Sequence, residues 1–124
     1  MSETKFNAEL RAVLRAQGLR ALHIREADQP GASDLVVWQG REILAWAELK
    51  VFPNTAEPHQ TQFLEERQVE GGNAYVITLM GHVGRHHVQI AVLQFGKWVV
   101  TDVVTNYHKY DWRSYFESRQ NLKI

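Results

Sequence analysis

The sequence predicts an α/β (α+β) fold in which a central mixed β-sheet is flanked by helices. Segments with helical and with alternating apolar spacing follow one another in the order α-β-β-β-α-β-β-β-α, and turns containing glycine or proline separate them. The chain of 124 residues is 44% hydrophobic and 23% charged, which is ordinary for a protein with its own core. We therefore expect residues 1–124 to form a single domain.

The first predicted helix spans residues 3–17, because apolar side chains recur there at the spacing of one helical face. These side chains are Phe6, Leu10, Val13 and Leu14. Ser2 is the predicted N-cap, and Gly18 is the predicted stop.

A short strand is predicted at residues 20–26. Leu22 and Ile24 alternate there with polar neighbours, as in a half-buried strand. His23 and Arg25 share the other parity and therefore face away from Leu22 and Ile24. The segment "ADQPGAS" that follows is rich in helix and strand breakers and predicts a loop.

The next two strands predict a β-hairpin with its turn at Gln39–Glu42. Closing this turn pairs residue 38 with about residue 43. The same register pairs residue 34 with about residue 47 or 48.

The second half of the chain predicts two helices and three strands. Pro58 stands in the first turn of a helix over residues 58–70, and Gly71 and Gly72 end it. The strands are "NAYVITLM", "VQIAVLQF" and "KWVVTDVV". The last helix is "DWRSYFESRQ", with Asp111 as its cap.

Charge and composition exclude some classes of protein and leave others open. The absence of cysteine excludes disulfides and thiolate metal ligands. With 14 basic and 14 acidic side chains, the net charge neither indicates nor excludes nucleic-acid binding. No apolar run approaches the ~20 residues of a membrane span, and the N-terminus lacks the apolar centre of a signal peptide. We expect an intracellular, cytoplasmic protein.

Asp34, Glu48 and Lys50 stand in a segment that otherwise has the composition of buried strands. Glu48 and Lys50 share one strand face, and the hairpin brings Asp34 next to Glu48. Two adjacent carboxylates repel each other and lose hydration, and a divalent cation such as Mg²⁺ relieves both costs. Lys50 would then lie beside a metal-bound water or a phosphate. In the alternative interpretation, which the residues leave open, Asp34 caps a loop and Glu48 pairs with Lys50 at a sheet edge.

The segment "GASDLVVWQGREILAWAELK" resembles the metal-site hairpin of PD-(D/E)xK nucleases, in which an Asp opens one strand and Glu-x-Lys lies on the next. It is more closely similar to the virus-type replication-repair nuclease (VRR-NUC) branch, also described as Holliday junction resolvase-like. Ser33 stands where Pro is commoner, and a helix, a glycine pair and a strand follow as in the family. The resemblance implies a restriction-endonuclease-like core αβββαβ over residues 3–80. The β-β-α extension over 81–124 lies beyond the resemblance.

The resemblance also implies a role for each matching residue. Asp34 and Glu48 would bind Mg²⁺ or Mn²⁺, and the carbonyl of Leu49 would complete the protein ligands. Lys50 would serve the attacking water. Gln60 would contact the DNA backbone or support the metal ligands.

The family carries an acid on its first helix; Glu3 is the favoured candidate for this position, and Glu9 is the alternative. Glu3 stands three residues before Phe6 and shares the helical face of Phe6 and Leu10. It would contact the metal through water or position a second cation. Glu9 lies off this face, and we expect it to be solvated.

Four further residues are candidate contacts to DNA phosphates: His23, Arg25, His59 and Arg85. His59 could equally cap its helix. A zinc site is not expected at His86 and His87, because adjacent strand residues point apart.

The sequence therefore predicts a divalent-metal-dependent DNA endonuclease, selective for branched or junction DNA, in phage or bacterial replication, repair or recombination. The expected partners are DNA and a second copy of the chain, because cutting both strands of a junction needs two sites related by symmetry. The last two strands and the aromatic terminal helix would form the dimer interface or complete the core of a monomer. The alternatives are a catalytically inactive nuclease-fold module that binds nucleic acid or protein, and a metal-dependent hydrolase of another phosphoester.

Overall fold

The computed structural model of the chain describes residues 1–24, 35–81 and 86–121. Its helices and strands follow the predicted order, which confirms the α+β class. In chain order they are α1 (Glu3–Ala16), β1 (Arg20–His23), β2 (Leu35–Gln39), β3 (Glu42–Val51), α2 (Pro58–Val69), β4 (Ala74–Met80), β5 (His87–Gln94), β6 (Lys97–Val104) and α3 (Trp112–Asn121). None of these described helices is long and apolar enough to cross a membrane.

In the described part of the chain the strands form a six-stranded mixed sheet in the order β1-β2-β3-β4-β5-β6. Strands β3 and β4 are parallel, and the other neighbouring strands are antiparallel. A parallel pair needs a crossover connection, and α2 supplies it. The sheet is therefore a chain of hairpins interrupted once, between β3 and β4.

The β2–β3 hairpin has the predicted register, with Trp38 opposite Ile43. The register shifts between Val37 and Trp38, so that Leu35 lies opposite Ala47. Such a bulge adds a residue to one strand and increases its local twist. Gly40 has a φ of 60° in the turn, a conformation that costs glycine little.

Helices cover both faces of the sheet. On one face, α1 and α3 pack with β3 and β4 into a continuous apolar core that includes Phe6, Leu10, Leu14, Ala45, Ala47, Leu49, Tyr75, Ile77, Trp112 and Phe116. On the other face, Phe63 of α2 contacts Trp46 edge to face, with 5.7 Å between the ring centroids. Because side chains alternate along a strand, Glu48 and Lys50 share the face of Trp46.

The terminal helix α3 completes the core of this chain. Trp112 and Phe116 are fully buried, and the ring centroid of Phe116 lies 5.4 Å from that of Tyr75. Asp111 caps α3 as predicted, because its carboxylate accepts hydrogen bonds from the Ser114 N–H at 3.0 Å and the Ser114 hydroxyl at 2.7 Å. These aromatic side chains therefore pack within the core of the chain, and the dimer stays a prediction.

Strand β1 differs from its prediction. It ends at His23, and the predicted residues 25 and 26 lie outside the described ranges. Ala21 is buried, whereas Leu22 is 43% exposed. Ala21 pairs with Val37, which belongs to the core, and partners across a ladder point to the same face. The register of the edge strand thus decides which side chain turns inward.

Candidate metal and catalytic site

Strand β3 carries two buried charged side chains. Glu48 is 1% exposed and Lys50 is 8% exposed. The Lys50 Nζ lies 3.6 Å from Glu48 Oε1. Removing a carboxylate or an ammonium from water is costly unless an opposite charge is close, so this ion pair makes the burial of both groups tolerable.

Glu3 brings a second carboxylate to Lys50. Its Oε1 lies 3.7 Å from Lys50 Nζ, and its Oε2 accepts a hydrogen bond of 2.9 Å from the Asn54 side chain. Glu3 is the first residue of α1. Ser2 caps this helix as predicted, because its hydroxyl oxygen accepts a hydrogen bond from the Lys5 N–H. The Lys50 ammonium therefore lies close to two carboxylates from different parts of the chain.

Asp34, the third predicted member of the site, lies outside the described residues. Its neighbour Leu35 is opposite Ala47 in the ladder, and Ala47 directly precedes Glu48. Leu49 lies between Glu48 and Lys50 on β3. Its side chain points to the opposite face of the sheet and is buried in the core. The described ranges contain no cluster of three or more metal-ligating side chains of His, Cys, Asp or Glu type.

The donor set fits a hard divalent cation in chemistry. Carboxylate oxygens are the ligands that Mg²⁺ and Mn²⁺ prefer, and Mg²⁺ retains several waters when one or two carboxylates bind it. Glu48 supplies a carboxylate that is nearly removed from solvent, and Glu3 supplies one at the surface. A cation at such a position would be balanced by protein charge and would keep open positions for water.

Gln60 has a structural role in the described contacts. Its side-chain oxygen accepts a hydrogen bond of 2.8 Å from the backbone N–H of Glu57, which is the N-cap of α2. This is half of a capping box, which satisfies a backbone donor at the helix start. The expected contact of Gln60 with DNA or with the metal ligands stays a prediction.

The candidate DNA contacts lie in several places. His23 is exposed at the end of β1, and His59 is half exposed in the first turn of α2, with its Nδ1 3.8 Å from Glu57 Oε2. Arg25 and Arg85 lie outside the described residues. The contacts of these four side chains with DNA stay predictions.

Glu9 is not the solvated residue that its helical position predicts. Its Oε2 accepts a hydrogen bond of 2.7 Å from the Tyr107 hydroxyl and lies 3.5 Å from His108 Nε2. The segment before α3 folds over α1, and Phe6 packs against the Tyr107 ring. Burial raises the pKa of the Tyr107 phenol, and the hydrogen bond to Glu9 raises it further.

Asn54 is a site residue that the sequence analysis missed. It lies in the segment "PNTAEP" between two prolines, which predicts a loop and gives no sign of a polar contact. Its partner Glu3 is 51 residues away in the chain. An asparagine directly after the strand that carries Glu-x-Lys is the only local signal that could have indicated it.

A comparison with solved structures finds a chain described as "VRR_NUC domain", with a TM-score of 0.52 and 25% sequence identity. The match covers 60% of this chain and 81% of that chain. The chain therefore has a VRR-NUC-like fold. No family model matches the sequence, and no curated protein gives a significant match. The VRR-NUC resemblance is thus confirmed for the fold, while the role of each VRR-NUC site residue stays a prediction.

Proposed function

We propose that this VRR-NUC-like domain is a divalent-metal-dependent DNA endonuclease that hydrolyses phosphodiester bonds. One observation carries the proposal: a nearly buried ammonium, Lys50, lies 3.6 Å from the buried carboxylate of Glu48 and 3.7 Å from Glu3. Burying these charged groups in a sheet of the VRR-NUC fold costs desolvation energy. Charged groups buried in this way are concentrated at functional sites, which supports a nuclease active site here.

Asp34, Glu48 and the Leu49 carbonyl would hold Mg²⁺ or Mn²⁺, with Glu3 contacting it through water. When bound, the cation would stabilise negative charge on the phosphate and lower the pKa of its water. The proposal places Asp34 here because Leu35 and Ala47, the residues adjacent to Asp34 and Glu48, are opposite each other in the ladder.

Lys50 would orient the attacking water and stabilise the charge that develops on the phosphate. Its ammonium has three N–H donors, and the two carboxylates hold its position before substrate binds. Preorganised charge is effective in a site from which bulk water is excluded. Lys50 is 8% exposed, so its charge is only weakly screened by solvent.

We further propose that the substrate is branched or junction DNA, bound mainly through phosphates. His23, Arg25, His59 and Arg85 would supply contacts that set the position of the strand and carry no base information. Cutting both strands of a junction would need a homodimer with two symmetry-related sites. This role belongs to DNA replication, repair or recombination in phage or bacteria.

Cleavage of plasmid and four-way-junction DNA with Mg²⁺ or Mn²⁺ tests the proposal. We expect Glu48→Gln and Lys50→Met to reduce the cleavage rate by about 100-fold or more, as for the loss of a preorganised charge. The matched control is Glu9→Gln, which changes an acid of the same helix as Glu3 and should leave the rate unchanged. A wild-type chain that cleaves neither substrate, or variants that cleave equally fast, would refute the endonuclease.

Metal binding can be measured without activity. At a concentration of 100 Kd, Mn²⁺ should stabilise the wild-type fold by about 2.7 kcal/mol. Glu48→Gln should lose most of this gain in thermal unfolding, and EDTA should reverse it.

A second candidate function is a catalytically inactive nuclease-fold module that binds nucleic acid or a protein. It is favoured by the charge balance of the described cluster, in which Lys50 pairs with both acids. Such a module should bind DNA or a protein partner without cleavage, and this binding should persist in Asp34→Asn and Glu48→Gln.

A further inference from the structure

A cavity of about 740 Å³ lies at the end of the sheet where β4 begins and β5 ends. The last turns of α2 and α3 close its sides. Among the side chains that line it are Gln68, Asn73, Tyr75, Gln94, Arg119 and Gln120. Its volume lies within the range of small-molecule sites.

This cavity is separate from the candidate metal site. Tyr75 is opposite Ala47 in the parallel ladder, whereas Lys50 is opposite Thr78. Lys50 is therefore about 10 Å from Tyr75 along the strand, at roughly 3.3 Å per residue. Glu48 is opposite Val76, next to Tyr75, but it points to the other face of the sheet, because Tyr75 and its partner Ala47 face the core. Glu3, Glu48 and Lys50 are not among the described residues that line the cavity.

Tyr75 contributes a buried donor whose partner is missing. The residue is 1% exposed, and within the described ranges its hydroxyl has no hydrogen-bond partner. Burial raises the pKa of the Tyr75 phenol, so the hydroxyl keeps its proton and remains a donor. The side-chain nitrogen of Asn73 is likewise buried and unpartnered there. Buried polar groups usually have a hydrogen-bond partner, and for these two a partner would come from outside the chain, as a water or a ligand.

Arg119 contributes a guanidinium to the wall of the cavity. Its guanidinium lies over the Tyr115 ring, 5.3 Å from the centroid, and its Nη2 lies 3.3 Å from Asp102 Oδ2. These contacts hold the planar guanidinium in place. The described lining residues include no carboxylate, because Asp102, the ion-pair partner of Arg119, lies behind the guanidinium and not among them.

The remaining polar wall consists of carboxamides. Gln68 donates to the Leu93 carbonyl, and Gln120 donates to the Leu44 carbonyl at 3.0 Å, so the backbone fixes both side chains. Gln94 and Asn73 add two further amides. A guanidinium binds a phosphate through paired hydrogen bonds, and carboxamides match the donor and acceptor edges of nucleobases.

We propose that this cavity binds a nucleoside 5′-monophosphate, with its phosphate at Arg119 and the Tyr75 hydroxyl and its base against the carboxamides. The proposal goes beyond the endonuclease function, because binding requires neither a metal nor the Glu48–Lys50 pair. A bound nucleotide would give Tyr75 and Asn73 the acceptors that they lack.

Isothermal titration of the full chain with dAMP in EDTA tests the proposal. We expect saturable binding that weakens by about 10-fold or more in Arg119→Gln, which loses the charge-assisted bonds. Tyr75→Phe should weaken binding by about 5-fold, as expected for one hydrogen bond. It should leave the thermal unfolding temperature unchanged or raised, because the native hydroxyl has no internal partner to lose.

Two control variants locate the site. Arg113→Gln changes another arginine of α3, which pairs with Glu117 outside the cavity, and it should bind dAMP as the wild type does. Glu48→Gln should also bind dAMP as the wild type does. The nucleotide-binding proposal can therefore hold if the endonuclease proposal is refuted, and the endonuclease proposal can hold if dAMP does not bind.

Several results would overturn the proposal. The first is the absence of saturable dAMP binding. The second is wild-type affinity in both Arg119→Gln and Tyr75→Phe. The third is loss of dAMP binding in Glu48→Gln. Inorganic phosphate or deoxyadenosine binding as tightly as dAMP would remove the nucleotide assignment. Tighter binding of a 5′-phosphorylated oligonucleotide would assign the cavity to a strand end and likewise overturn it.

Discussion

Lys50 shows how one side chain can depend on distant parts of the chain. It lies on β3, yet one of its two acidic neighbours, Glu3, belongs to the N-terminal helix. Asn54 in turn holds Glu3 by a hydrogen bond of 2.9 Å. Because each group orients the next, a change at Asn54 should reach Lys50 without altering any charge.

Asn54→Ala should therefore impair the proposed cleavage. Glu3 would lose the donor on its Oε2 and become less well positioned, and we expect the metal-dependent rate to fall by about 10-fold with little change in stability. Rates over a Mn²⁺ titration check this. Asn106→Ala, an exposed loop asparagine away from the cluster, is the matched control. Equal rates in the two variants would show that Asn54 does not position Glu3.

Asp111 gives a prediction about pH at the residue scale. The N–H and the hydroxyl of Ser114 hold the pKa of the Asp111 carboxyl below its usual value. The stability that this contributes is present above the usual pKa and is lost as the pH falls through the lower, folded-state pKa.

Asp111→Asn keeps a capping side chain but removes the titration, so it should make acid unfolding less steep while preserving neutral stability. Asp111→Ala should also destabilise the fold at neutral pH. Urea denaturation between acid and neutral pH measures both effects. An unchanged acid transition in Asp111→Asn would contradict the prediction.

At the scale of the element, α3 belongs to the core although it lies beyond the VRR-NUC resemblance in the sequence. Its aromatic residues pack on Tyr75 of β4, and its last turn reaches the β3 backbone through Gln120. The helix thus joins the N-terminal and C-terminal halves of the sheet.

Phe116→Ala should destabilise the chain by about 3–5 kcal/mol, since it opens a cavity among fully buried rings. Phe95 is an internal control, because it is fully exposed in the β5–β6 turn. Phe95→Ala should change the free energy of unfolding by less than about 0.5 kcal/mol. Urea denaturation compares the two; similar effects would mean that α3 is not part of the cooperative core.

At the scale of the whole molecule, buried tyrosines predict a loss of stability in alkali. Burial raises the pKa of Tyr115 from 10.0 to about 12, and burial also raises the pKa values of Tyr75 and Tyr107. Because these folded-state values exceed the unfolded ones, the stabilisation is complete below pH 10.0 and is lost as the pH rises toward 12.

The free energy of unfolding should therefore fall above pH 10.0, the unperturbed tyrosine pKa. Each affected tyrosine contributes a slope of at most about 1.4 kcal/mol per pH unit. Tyr115→Phe removes one such group and should give a shallower slope in urea denaturation at alkaline pH. An identical slope in this variant would show that Tyr115 ionises equally in both states.

Local sequence information was enough for the order of the elements and for several of their ends. The apolar spacing of α1, the caps Ser2 and Asp111, and the turn of the β2–β3 hairpin depend on residues close in the chain. The hairpin register also follows from a short turn, so Trp38 opposite Ile43 was predictable. The cap that Gln60 forms at the start of α2 is likewise a local contact, three residues along the chain.

By itself, the sequence determined the α+β class, the element order and the placement of Glu48 and Lys50 on one face of β3. Only the tertiary structure decided which side of β1 turns inward, that Glu9 binds Tyr107, and that Glu3 approaches Lys50 while Asn54 binds Glu3. The physical reason is that these contacts join residues far apart in the chain, 51 positions for Glu3 and Asn54 and 98 for Glu9 and Tyr107. Such contacts form only when several elements pack together, and no local spacing encodes them.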